Sequence, residues 1–64
     1  MNLKLKAKII ENFGNQANFA QIIKTHEPIV SRVIHRRHEL PQAEQVKWAS
    51  FLKCNPKEIF ETVV

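Results

Sequence analysis

Aspartate is absent from this 64-residue chain, and cysteine and glycine each occur once. Together with the lack of any glycine-rich loop that could cradle a phosphate, this removes much of the usual catalytic vocabulary. The lone Cys54 cannot form an internal disulfide, which fits a reducing cytoplasm, and it reads as a small residue near the end of a helix. One glycine, three prolines and few alternating β-branched residues argue against a sheet protein. No apolar run is long enough to span a membrane, and the stretch MNLKLKAKIIENFG interleaves its lysines with apolar residues, unlike a signal peptide. His26, His35 and His38 with Cys54 are the only candidates for metal or nucleophilic chemistry, and none of their spacings matches a zinc site. The expectation is a protein that is not an enzyme and has no metal, cofactor or small-molecule substrate.

At this length there is room for one domain, covering residues 1–64, close to the lower limit for a core without disulfides or metal. Helical periodicity fills it. A first helix is expected from Leu3 to Phe13, with Leu5, Ile9 and Phe13 on one face and Gly14 as its stop. Two short helices follow, near Gln16–Ile23 and Pro28–His35, the first capped by Asn15 and the second started by the Glu27-Pro28 pair. Pro41 begins a fourth, lasting to about Lys53, with Val46, Ala49, Leu52 and Trp48 facing inward. Asn55-Pro56 with Glu58 signals a short fifth helix carrying Ile59 and Phe60. The aromatic residues sit at helical spacings and read as core, with Phe51 partly exposed.

The segment QANFAQIIKTHEPIVSRVIHRR, residues 16–37, carries most of the functional signal. Phe19, Ala20 and Ile23 form one apolar stripe, and Val30, Val33 and Ile34 form another shortly after it. Two stripes so close together must face each other, with the small Ala20 suited to the crossing. The formal charge is +4, and between Lys24 and His38 the cations Lys24, Arg32, Arg36 and Arg37 stand against Glu27 alone. Three histidines there can gain charge beside a polyanion. This is the layout of a DNA-reading helix-turn-helix, the plainer alternative being surface charge that keeps a small domain soluble. Lys4, Lys6 and Lys8 read as a solvated face of the first helix.

These residues resemble the Cro and phage-repressor type of helix-turn-helix domain, the lambda-repressor-like fold, with small prophage regulators most similar. The resemblance runs from about Leu5 to Phe60. It rests on Gln16-Ala17 and Phe19-Ala20, on Ile23, on Val30-Ser31-Arg32-Val33, and on the tail Trp48-Ala49, Leu52, Pro56 and Ile59-Phe60. It implies an all-α, compact five-helix bundle with the motif at helices 2 and 3. Two departures stand out: Lys24 and Arg36 occupy positions where the family favours glycine, the first in the turn and the second after the reading helix.

The resemblance further implies base contacts at Glu27, Pro28, Ser31 and Arg32. The forked donors of Arg32 match O6 and N7 of guanine, unless an acidic neighbour such as Glu27 holds them. Glu27 could accept from the amino group of cytosine or simply favour the helix start. Pro28 offers apolar contact, and Ser31 can reach a base or a phosphate. Phosphate contacts are implied at Asn15 and Gln16, with His35, Arg36 and Arg37 on the other side, the plainer readings being a helix cap for Asn15 and a loop residue for His38. The partner expected is an operator in double-stranded DNA, bound by a homodimer with no membrane involved, in a cytoplasmic transcriptional regulator such as a repressor. Val63, Val64 and the loop before Pro41 are the candidate dimer surfaces. The competing expectation is a protein-interaction module, an antitoxin or adaptor on the same scaffold, which exposed Ile22, Ile29 and Ile34 would favour.

Overall fold

In the computed structural model, which describes residues 1–60, the chain forms α1 (Leu3–Phe13), α2 (Gln16–Ile22), α3 (Glu27–Ile34), α4 (Gln42–Phe51) and α5 (Pro56–Ile59). The described residues contain no strand, so the all-α expectation holds. Val63 and Val64, two of the candidate dimer residues, lie outside the described residues.

Side chains at the helix starts fix where the elements begin. Asn2 caps α1 by accepting from the Leu5 N–H at 3.1 Å, and Asn15 caps α2 by accepting from the Asn18 N–H at 2.8 Å. The Asn18 amide then donates to the Phe13 carbonyl at 3.1 Å, locking the corner between α1 and α2. At α5 the Asn55 N–H donates to the Glu58 carboxylate at 2.6 Å, the reciprocal contact of a capping box. Pro28 sits in the first turn of α3, where its missing N–H leaves no bond unmade.

Three of the helices end alike. After α2 the Thr25 N–H reaches the Ala20 carbonyl at 2.8 Å and the Lys24 N–H reaches Gln21 at 3.2 Å. After α3 the Arg37 N–H reaches Arg32 at 2.8 Å and the Arg36 N–H reaches Val33 at 3.1 Å; after α4, Cys54 and Lys53 make the equivalent bonds to Ala49 and Ser50. Each is a Schellman closure, which turns the chain through one residue of left-handed conformation. Those residues are Lys24 (φ 60°), Arg36 (φ 61°) and Lys53 (φ 56°), all long and basic where glycine is easiest. The closure at Lys53 ends α4 at Phe51, two residues before the periodicity of the sequence predicts. Lys53→Gly should therefore raise stability by about 0.5–1 kcal/mol, the relief of left-handed strain less the extra freedom glycine gives the unfolded chain. A thermal melt checks this as a rise of a few degrees in Tm.

Core packing follows the apolar stripes with one correction. Leu5 and Ile9 of α1, Phe19 and Ala20 of α2, Val30, Val33 and Ile34 of α3, and Trp48, Ala49 and Leu52 of α4 are buried together with Ile59. Val46, expected inward, is 52 % exposed, because at 100° per residue it points away from the side of α4 that carries Trp48 and Leu52. A chain of rings crosses the interior. Phe13 lies 5.1 Å from Phe19, Phe19 meets Trp48 edge-on at 5.2 Å and 83°, and Trp48 meets Phe60 at 6.2 Å. Phe51 is exposed, as its position on the helix predicts.

Asn2 does more than cap. It is buried; its side-chain amide donates to the Ile59 carbonyl, and its own backbone N–H donates to the Ile34 carbonyl at 2.6 Å. One residue thus joins the start of α1, the end of α3 and the end of α5.

Candidate nucleic-acid interface

α3 is held by one side and open on the other. Val30, Val33 and Ile34 fall within one arc of the helix and are buried, which turns Pro28 and Arg32 to solvent; Glu27 flanks that arc and is exposed as the first residue of the helix, and Ser31 is half-buried at the edge. Of the four residues assigned to base reading, three are therefore exposed together and Ser31 is partly covered. Among the described residues, Arg32 forms no ion pair and its side chain makes no hydrogen bond, so the alternative in which Glu27 or another acid holds it finds no contact.

The end of α3 continues this basic face. His35 closes the helix, and Arg36 and Arg37 follow in the Schellman turn, all three exposed. Because the Arg37 N–H is bonded back to the Arg32 carbonyl, the two guanidinium-bearing residues are fixed one closed turn apart. Arg36 lies beside the cleft formed by Met1, Lys4 and Glu58, so the left-handed residue sets a cation against the start of α1. His38 is exposed, and beyond it Leu40 is buried and its carbonyl accepts from the Gln45 side chain at 3.0 Å, which pins the loop to α4. This removes Leu40 from the loop surface available for pairing two copies.

Asn15 and Gln16 stand at the end of α2 away from the turn. The Asn15 side-chain oxygen is engaged with the Asn18 N–H, and Gln16 is half-buried. Asn15 thus acts as the cap of α2, taking up the Asn18 N–H.

The three isoleucines that would mark an apolar docking face behave differently from one another. Ile22 is 49 % exposed, Ile29 is half-buried, and Ile34 is 1 % exposed because it packs in the core. Exposure of all three would favour a protein-interaction module; of them Ile22 alone is exposed, while Ile34 lies in the core, as its place on the apolar stripe of α3 predicts.

Other chemistry is sparse. Burial, then the nearby Glu58 carboxylate, pushes the Cys54 thiol up, with Lys8 opposing, so the sulfur stays protonated and poorly nucleophilic at neutral pH. Among the described residues no three histidine, cysteine or glutamate side chains converge as metal ligands, and no helix is long and apolar enough to cross a membrane.

Reasoning from sequence missed the long-range bonds of Asn2. The asparagine ahead of an apolar-periodic run was a visible cap signal, but its bonds to Ile34 and Ile59 had none. It also missed Lys47, which shares a concavity with Lys24 and His38. No family model, curated protein or solved structure matches this chain.

Proposed function

We infer that the chain is a sequence-specific double-stranded DNA-binding regulator of the Cro and phage-repressor type, with α2 and α3 as its helix-turn-helix and α3 as the helix that enters the major groove. One observation carries this reading: the exposed side of α3 bears Arg32 with no partner among the described residues, and His35, Arg36 and Arg37 follow it, all exposed. A guanidinium held on a rigid helix and left uncompensated is suited to the two acceptors on the major-groove edge of guanine. The cations that follow are suited to the phosphates flanking that groove. In this reading Arg32 reads a base, Glu27 and Pro28 contact neighbouring pairs, and Ser31 reaches a phosphate or base from the rim. His35, Arg36 and Arg37 clamp one backbone strand, and the first turn of α2 at Asn15 and Gln16 meets the other.

A single reading helix spans few base pairs, so the regulator acts as a two-fold dimer on an operator whose half-sites lie about 34 Å apart. Occupying such a site within a promoter would repress transcription in the cytoplasm of a bacterium or of a phage-infected cell.

Anisotropy binding to short duplexes separates the roles. Arg32→Ala should relax preference among sequences by about 1–3 kcal/mol at one base pair, whereas Arg37→Ala should weaken all sequences alike and flatten the salt dependence by close to one counterion. Equal losses for both variants would remove the division between reading and clamping. Salt also tests the adaptor reading, since an apolar partner contact at Ile22 would barely respond to ionic strength while DNA binding falls by orders of magnitude.

A further inference from the structure

Between the turn after α2 and the loop before α4 lies an open concavity of about 240 Å³. Leu40 and Trp48 form its base, and Lys24, His38 and Lys47 stand on its rim with one carboxylate, Glu44. The three basic groups come from three separate parts of the chain, the turn, the loop and α4. Among the described residues none of the three forms an ion pair, with Glu44 or any other acid. The Lys24 backbone N–H is bonded in the Schellman closure after α2, Lys47 lies within α4, and His38 lies two residues before Leu40, whose carbonyl accepts from the Gln45 side chain.

Ile29 of α3 forms part of the same wall, and it lies three residues before Arg32, which makes the two neighbours along one side of the helix. The concavity therefore borders the exposed side of α3 on its Arg32 flank. A rim with two lysines and a histidine against one glutamate, over the apolar Leu40 and Trp48 and with no ion pair among the described residues, is suited to an anion with several acceptor oxygens.

We propose that Lys24, His38 and Lys47 form a phosphate-binding clamp on the flank of α3, distinct from the one at His35, Arg36 and Arg37. This rests on the DNA-binding reading for its natural occupant, a backbone phosphate of the duplex that α3 reads. It also accounts for a lysine where a left-handed turn favours glycine, because the side chain supplies a charge that glycine lacks.

The test uses the whole chain and Lys24→Gln, Lys47→Gln and Lys53→Gln, each checked for folding by circular dichroism. Lys53 is the control, since it shares the left-handed conformation and the charge but takes no part in the concavity. Binding to a mixed-sequence duplex is measured from roughly 50 to 200 mM salt. Lys24→Gln and Lys47→Gln should each weaken binding about three- to tenfold and flatten the salt slope by close to one, with Lys53→Gln within about twofold of the parent. Duplex binding that is normal in both variants would overturn the clamp and leave the DNA reading intact. A second arm titrates inorganic pyrophosphate while amide resonances are followed by NMR. If the parent chain binds no duplex, yet pyrophosphate shifts Thr25, His38 and Lys47 and loses that effect in Lys47→Gln, the clamp stands for a free phosphorylated ligand and the DNA reading fails. Response to neither duplex nor pyrophosphate overturns the clamp.

Discussion

Phe19→Ala should leave the chain without a cooperative fold at physiological temperature. Phe19 has no exposed surface and stands between Phe13 at 5.1 Å and Trp48 at 5.2 Å, so its ring is the link between α1, α2 and α4. Removing a buried phenylalanine costs about 3–5 kcal/mol, from lost transfer energy and from a cavity the neighbours cannot fill. A domain of this size has a total stability of only about 3–5 kcal/mol or a little more, so the loss is comparable to the whole. Circular dichroism on heating would show a weak, non-cooperative signal in place of a sigmoidal melt. Phe19→Leu, which keeps most of the volume, should still melt cooperatively at a lower temperature. A Phe19→Ala melt within a few degrees of the parent would show that the ring chain is not what unites the helices.

Asn2→Ala should lower Tm by roughly 10–20 °C, corresponding to about 2–4 kcal/mol in so small a domain. About 1 kcal/mol of this is the lost cap on the Leu5 N–H. A further 1–3 kcal/mol or so comes from the Ile59 carbonyl, which loses the Asn2 amide in a buried setting. Asn2→Ser keeps an acceptor for the cap but cannot reach Ile59, so its Tm should fall between those of the parent and Asn2→Ala. The backbone bond from Asn2 to Ile34 survives either change, but the residue that makes it loses its anchor, and the end of α3 loosens with it. Equal Tm values for the parent and the alanine variant would mean that this three-way junction contributes nothing.

These two residues mark what the sequence could and could not convey. Phe19 was legible because helical periodicity places it with Ala20 and Ile23 on one stripe, and a stripe needs only local spacing. The starts of α2, α3 and α5 were legible for the same reason, since an asparagine or a proline acts on its own next few residues. Asn2 was not singled out, although an asparagine just ahead of an apolar-periodic run is a cap signal. Its partners at 34 and 59 are set by how three helices meet, which no local pattern encodes. Val46 failed differently: α4 has apolar residues on both sides, so the stripe facing the core could not be chosen without knowing where Phe19 stands. The left-handed ends at Lys24 and Arg36 were visible only through a family resemblance, and Lys53 had no glycine to mark it. Of the candidate site, the outward direction of Pro28 and Arg32 follows from the buried stripe opposite them, and the exposure of Glu27 from its place at the helix start. The partial covering of Ser31 and the concavity shared by Lys24, His38 and Lys47 depend on the path of the loop before α4.

The central claim is that the Arg32-bearing side of α3 reads base edges, and selection of bound duplexes from a random pool tests it most directly. The account predicts enrichment of a short half-site containing guanine, recurring as an inverted repeat with centres about 10–10.5 base pairs apart, and loss of that guanine preference when Arg32→Ala is used for the selection. A pool that remains random after repeated rounds, or a motif that Arg32→Ala selects equally well, would contradict it.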